Sequence, residues 1–290
     1  MDSPLGVALR AEDFGLKGPR GWAFRGVGFT ARPGSLVAIE GASGSGRTCL
    51  LLALTGRMRS TRGHAEVGGV RLPGRLSAVR RFSSLGPVPG VNELDPSLTV
   101  GEHLRERALL RRRFDASFRS LLRPRTERVA SARKETDAAL EAAGLDLAVL
   151  PKAERTQVRD LERLAALRLS VALALTSRPR LLAVDDTGLG LDATDRALAW
   201  ELLRSVAAAG TTVLAVCTEA PEGALAVRTR PGGTRTAADE TDGAVDTVST
   251  VSTDATDATD ATDATDATDA TDRGNDGEGT ADAIAEAGRD

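Results

Sequence analysis

The chain has 290 residues, 41% of them apolar, which is enough for one sizeable core, and only 3% are aromatic. Its formal charge of −3 conceals a split: residues 229–290 hold 16 acidic and 4 basic residues, a net of −12, leaving +9 for residues 1–228. No run approaches the roughly 18–20 apolar residues of a membrane span, no basic-then-apolar leader opens the sequence, and the two cysteines, Cys49 and Cys217, lie in apolar runs, so the expectation is a soluble protein of a reducing compartment with buried thiols and no disulfide.

Residues 7–40 carry strand-like runs at 7–9, at 22–24 with 27–29, and at 36–39, punctuated by Gly and Pro, which together predict a small antiparallel sheet. The last run leads into Gly41-Ala42-Ser43-Gly44-Ser45-Gly46-Arg47-Thr48, and an apolar helix is expected over 49–54. Glycines at 41, 44 and 46 let successive backbone N–H groups curl inward around an anion, and the following helix adds its positive N-terminal dipole. Strand before and helix after is the context a phosphate-binding loop demands. Thr48 is placed to offer its hydroxyl to Mg²⁺. Arg47 stands where this loop carries lysine, so the charge is kept while a planar fork replaces a compact ammonium.

After the loop, residues 62–69 read as a strand and tight turn, 78–85 as another strand, and 87–90 as a break. His64 reads as a surface residue. From Arg105 to Arg133 come ten arginines, Arg111, Arg112 and Arg113 consecutively, with Leu109, Leu110, Phe114, Phe118, Leu121 and Leu122 interleaved at helical spacing. This basic helical region reads either as a solvated face or as a surface for a membrane protein's cytoplasmic loop or for acidic headgroups. Nucleic acid is the weaker alternative, since no stacking platform interleaves the basic residues.

A second long apolar helix is expected over 158–176, followed by a buried parallel strand over 180–184 that ends in Asp185 and Asp186. A carboxylate at the C-terminal edge of such a strand lies where open α/β sheets bind ligands, beside the phosphate loop. Gly188 to Asp192, a helix over 197–208 and a strand over 212–217 complete an alternation that implies a parallel sheet. Beyond about residue 229, Thr, Asp, Ala and Gly dominate, and Thr-Asp-Ala repeats from 253 to 272. Too little apolar surface is present there to offset ordering entropy, so a disordered acidic tail is expected, either solubilising or screening the basic body.

Taken in order, the phosphate loop, the arginine-rich helical insert, the strand ending in Asp185-Asp186 and the Leu191-Asp192 that follows make residues 1–228 resemble the ATP-binding subunit of ABC transporters. The resemblance implies an α/β fold, a P-loop NTPase of ABC type with a small antiparallel β subdomain, a parallel-sheet core and an inserted helical subdomain over about 98–175, followed by the tail of 229–290. It implies ATP and Mg²⁺ as cofactors, Gly41 to Thr48 around the phosphates, Thr48 and Asp185 on the metal, and Asp186 as the catalytic carboxylate. It also implies a homodimer or heterodimer with a second cassette and a separately encoded membrane permease as partner, at the inner face of the cell membrane. Several positions depart from the family pattern. Gly90 stands where its glutamine belongs, residues 161–165 (Leu-Glu-Arg-Leu-Ala) stand at its signature, with Glu162 in place of a serine, and Thr218 holds the switch-histidine position. These departures predict slow hydrolysis and leave open a non-hydrolysing regulatory subunit. Phe14 and Trp22 are both candidates for the aromatic that stacks on adenine.

Overall fold

The computed structural model describes residues 6–114 and 125–229. The expected disorder of the acidic repeat tail and the placement of Phe118, Leu121 and Leu122 lie outside the described residues.

Among the described residues nine strands form two sheets: β1 (Leu9–Gly18), β2 (Gly21–Ala31), β3 (Leu36–Glu40), β4 (Arg62–Val67), β5 (Val70–Leu72), β6 (Ser83–Leu85), β7 (Leu181–Val184), β8 (Thr212–Cys217) and β9 (Leu225–Arg228). The first sheet is antiparallel, in the order β2-β1-β4-β5, and the second is parallel, in the order β6-β7-β8-β3-β9. Accompanying them among the described residues are the helices α1 (Arg47–Leu54), α2 (Leu76–Phe82), α3 (Val100–Phe114), α4 (Arg125–Ala142), α5 (Arg163–Leu175) and α6 (Ala193–Ala208).

The parallel sheet is covered on both faces, which is why β3, β7 and β8 read as unbroken apolar runs. Alternate residues enter two separate cores. Ala38, Leu182, Val184, Val213 and Ala215 pack with α4, α5 and α6, whereas Val37, Ile39, Leu181, Leu214 and Val216 pack with α1 and the antiparallel sheet. Local signals set the helix starts. Thr99 and Glu102 form a reciprocal capping box at α3, with Glu102 Oε2 accepting from Thr99 N at 2.7 Å and Thr99 Oγ1 accepting from Glu102 N at 3.3 Å. Asp192 caps α6 by accepting from Asp195 N at 2.8 Å.

Three expectations are corrected. Residues 36–39 belong to the middle of the parallel sheet rather than to the antiparallel one, because both faces of β3 are buried. Residues 78–82 are not strand: Leu76, Val79 and Phe82 recur every three residues and form α2, and only β6 at 83–85 is extended. The helix expected over 158–176 begins at Arg163, after a single tight turn at Val158–Asp160.

Candidate functional site

The loop lies where β3 turns into α1, between Glu40 and Arg47. Its crest, Ala42 to Gly44, is exposed, while Ser45 is fully buried. Gly44 and Gly46 adopt φ of 79° and 82°, the left-handed region that a side chain resists. At Gly46 the requirement is also steric, because a Cβ there would run into the Ala23 carbonyl of β2. Glycine therefore lets the first turn of α1 press against the antiparallel sheet with its N–H groups facing the loop.

β7 and β8 bring the remaining groups to the same edge. Thr48 Oγ1 donates to Asp185 Oδ2 at 2.7 Å, and the Asp186 backbone N–H donates to Asp185 Oδ1 at 3.0 Å. Burial pushes the Asp185 carboxyl above its ordinary pKa of 3.8 and the neighbouring Asp186 adds to this; the Thr48 hydrogen bond and the Arg47 charge oppose it. A buried carboxylate held with a hydroxyl at this spacing is a pair of hard oxygen donors, which suits Mg²⁺. Among the described residues no cluster of three or more acidic, His or Cys side chains could hold a metal alone. Two donors fit a cation that arrives with a phosphate ligand rather than a resident ion.

Arg47 is buried. Its Nη1 donates to the Cys217 carbonyl at the end of β8 at 2.6 Å, and its Nη2 lies 3.9 Å from Asp186 Oδ1. The guanidinium thus spans the loop, β8 and the second carboxylate. Asp186 itself sits at φ 46°, an uncommon conformation for a residue with a side chain, at the turn that leaves β7. The Cys217 thiol is pushed up to about 11 by burial and by Glu40, and burial likewise raises Cys49, which disfavours the thiolate at both positions. Both are free, as the sequence predicts, although Cys49 is only partly buried.

The structure separates the two aromatic candidates. Phe14 is wholly buried with its ring centroid 5.7 Å from that of Phe24, so it is core. Trp22 stays partly exposed, with the Lys17 ammonium 5.8 Å from its ring centroid. Gly90 lies in an exposed turn at φ 71°, its N–H donating to Glu93 Oε1 at 2.8 Å. Glu162 precedes α5 without capping it through its side chain, and Thr218 is exposed after β8. His64 is a half-exposed residue of β4, 3.3 Å from Glu12. Sequence reasoning missed Thr229: its hydroxyl shares a 2.7 Å hydrogen bond with Ser45 Oγ in the loop. Only the shortness of β9, four residues with Val227 alone buried, conceals the strand that carries it there.

Comparison with known proteins speaks to the family and the fold. The sequence matches the family described as ABC transporter over residues 24–188, from β2 through the turn after Asp186. It is 33% identical over 189 residues to the Nod factor export ATP-binding protein I of Ralstonia nicotianae, an alignment that covers 65% of this chain and 52% of that protein. The chain spans about half the length of the curated relatives it matches. Among solved structures it superposes on an ATP-binding cassette in a dimeric post-hydrolysis state bound to ADP and phosphate, with a TM-score of 0.56 and 21% identity, covering 73% of this chain and 88% of that one. It also superposes on a bacterial Atm1-family ABC exporter with ATP bound, with a TM-score of 0.59 and 20% identity, covering 78% of this chain and 37% of that one. At such identities the structures speak for the fold, a P-loop cassette; with the family match spanning more than half of the sequence, the chain belongs to the ABC transporter family.

Proposed function

We propose that the chain is the ATP-binding subunit of an ABC transporter, binding ATP with Mg²⁺ and acting on a separate membrane permease at the inner face of the membrane. The observation that carries this reading is the Thr48 to Asp185 contact of 2.7 Å beside an exposed, glycine-turned loop. In it, residues 41–48 hold the phosphates through backbone N–H groups, Arg47 adds a cation, and Thr48 and Asp185 hold the metal. Asp186 orients the attacking water. When bound, Mg²⁺ neutralises phosphate charge.

In this reading the membrane-spanning part is a separate permease; no helix among the described residues is long and apolar enough to cross a membrane. The relatives are named for export, which favours an exporter. Pairing with a second cassette, identical or not, belongs to the same reading.

A second reading, a nucleotide-binding subunit that holds a conformation without turnover, is favoured by Gly90, Glu162 and Thr218. Gly90 lacks the side-chain amide, Glu162 the hydroxyl and Thr218 the imidazole that the family places there. Titration calorimetry with Mg·ATP tests what both readings share. Saturable binding that is weakened by Asp185→Asn is expected; a folded protein that binds no nucleotide at millimolar concentration would remove both.

A further inference from the structure

Glycines at 41, 44 and 46 leave the phosphate loop free to take several shapes, and its crest from Ala42 to Gly44 is exposed. Ser45 anchors the loop from within the fold. It is wholly buried, and its Oγ hydrogen-bonds Thr229 Oγ1 at 2.7 Å across 184 residues of sequence. Thr229, also buried, donates its hydroxyl to the Glu40 carbonyl at 3.3 Å and its backbone N–H to the same carbonyl at 2.9 Å, so donation runs from Ser45 to Thr229 to Glu40. Gly41 closes the third side: a Cβ there would lie 2.6 Å from each of the two hydroxyl oxygens, so a water does not fit there to replace either of them.

Thr229 is delivered by β9, an edge strand of four residues of which only Val227 is buried. A strand held by so little apolar contact opens more readily than the centre of a sheet. Its register sets Arg228 opposite Glu40, the last residue of β3, so docking of β9 brings Thr229 against the first residue of the loop. Thr229 lies beyond residues 24–188, the stretch matched to the family, so the tie comes from outside that stretch.

We propose that Thr229 is a positioning residue of the phosphate site: docking of β9 places its hydroxyl on Ser45 and thereby holds the loop in the shape that accepts phosphate. The inference rests on the nucleotide-binding reading above. A loop that is competent only while β9 is docked binds with an affinity reduced by the docked fraction, and the reduction falls alike on every ligand that enters through its phosphates. By linkage, a ligand held in the loop must in turn hold β9 in place.

The test measures the affinity of the full chain and its variants for Mg·ATP, Mg·ADP and tripolyphosphate, well below the melting temperature of each. Thr229→Val keeps the size of the side chain and leaves the buried Ser45 hydroxyl without a partner, so it should weaken all three ligands by the same factor, about tenfold. Thr229→Ser, which keeps the hydroxyl, should stay within about threefold of the wild type. Ser45→Ala combined with Thr229→Val removes the orphaned hydroxyl and should bind more tightly than Thr229→Val alone. Val227→Ala weakens the buried side of β9 without touching either hydroxyl; it should act in the same direction, and it carries the test if Thr229→Val does not fold. Hydrogen exchange supplies the reciprocal reading, since Mg·ATP should slow exchange over residues 225–229 of the wild type. A Thr229→Val chain that melts lower yet binds all three ligands as the wild type does would overturn the proposal. So would a loss confined to ATP, or exchange over β9 that ATP leaves unchanged. A folded wild type that binds none of the three ligands would instead remove the nucleotide-binding reading itself.

Discussion

Thr48 and Asp185, 137 residues apart in sequence, are joined by a 2.7 Å hydrogen bond in which the hydroxyl donates and the buried carboxylate accepts. This bond ties the first turn of α1 to the end of β7 and fixes the mouth of the phosphate loop.

It also sets a conflict between stability and function. Because burial raises the Asp185 pKa in the folded state, ionisation costs the nucleotide-free fold stability at neutral pH, and that cost disappears as pH falls below the unfolded value of 3.8. Asp185→Asn should therefore raise the thermal midpoint at pH 7, with a gain that shrinks towards pH 4. Asparagine can still accept from Asp186 N and donate to Thr48. The same variant should weaken Mg·ATP by about 10–100-fold, as loss of a group at a metal site does. Melting curves across pH, paired with calorimetry, check both halves. A lower midpoint at neutral pH would contradict the assignment of burial as the dominant influence.

Arg47 serves the fold and, in the proposed reading, the phosphates as well. Arg47→Ala leaves the Cys217 carbonyl without its 2.6 Å donor in a buried position, a loss of about 1–3 kcal/mol in unfolding free energy. Arg47→Lys keeps the charge and should retain more ATP affinity than alanine. Denaturant unfolding and ATP titration of the two variants separate the effects; ATP affinity equal in the wild type and both variants would show that Arg47 does not reach the phosphates.

The two left-handed glycines of the loop should respond differently. At Gly44 no atom lies near a Cβ, so Gly44→Ala meets only the backbone cost of its φ, about 1 kcal/mol. At Gly46 the Ala23 carbonyl blocks the same methyl group, and Gly46→Ala must move α1 or β2. The second variant should lose several times more stability than the first, read by thermal melting, and should lose phosphate affinity with it.

Hydrolysis should be slow. Positioning and charge stabilisation supply most of the catalysis in phosphoryl transfer, and Gly90, Glu162 and Thr218 remove three positioning groups. The isolated chain is expected to turn over ATP at about 10⁻² per second or less, against ~10 per second for a typical enzyme. Asp186→Asn should abolish the residue of activity with ATP binding retained. Brisk turnover that survives Asp186→Asn, measured by phosphate release, would mean that another group orients the water.

Much of this architecture is legible in the sequence because the parallel strands are buried on both faces and end in chemically distinctive residues. The run before Gly41 and the run before Asp185 mark β3 and β7, and their parallel neighbour β8 follows from the alternation of strand and helix. What the sequence conceals has a common cause, namely that partners distant in the chain decide the outcome. Phe14 and Trp22 are equally plausible by spacing, and only the packing of Phe14 against Phe24 removes one of them. The register of Leu76, Val79 and Phe82 suits a helix, but the β-branched and aromatic residues between 78 and 85 suggest a strand. Arg163 belongs to a segment that reads as a damaged signature, and nothing in the linear order indicates that Gly190 would receive its guanidinium.

The Ser45 to Thr229 bond has a mechanical consequence. β9 lies in register with β3 from Val37 opposite Leu225 to Glu40 opposite Arg228, and Thr229 follows directly, its N–H donating to the Glu40 carbonyl at 2.9 Å. Tension applied to the chain beyond Thr229 is therefore borne first by this residue and by a four-residue strand at the sheet's edge. Because Thr229 is hydrogen-bonded to the loop, the load reaches Ser45 before it reaches either core. Anchoring the acidic segment to another body would make the phosphate loop the first part of the fold to feel the pull.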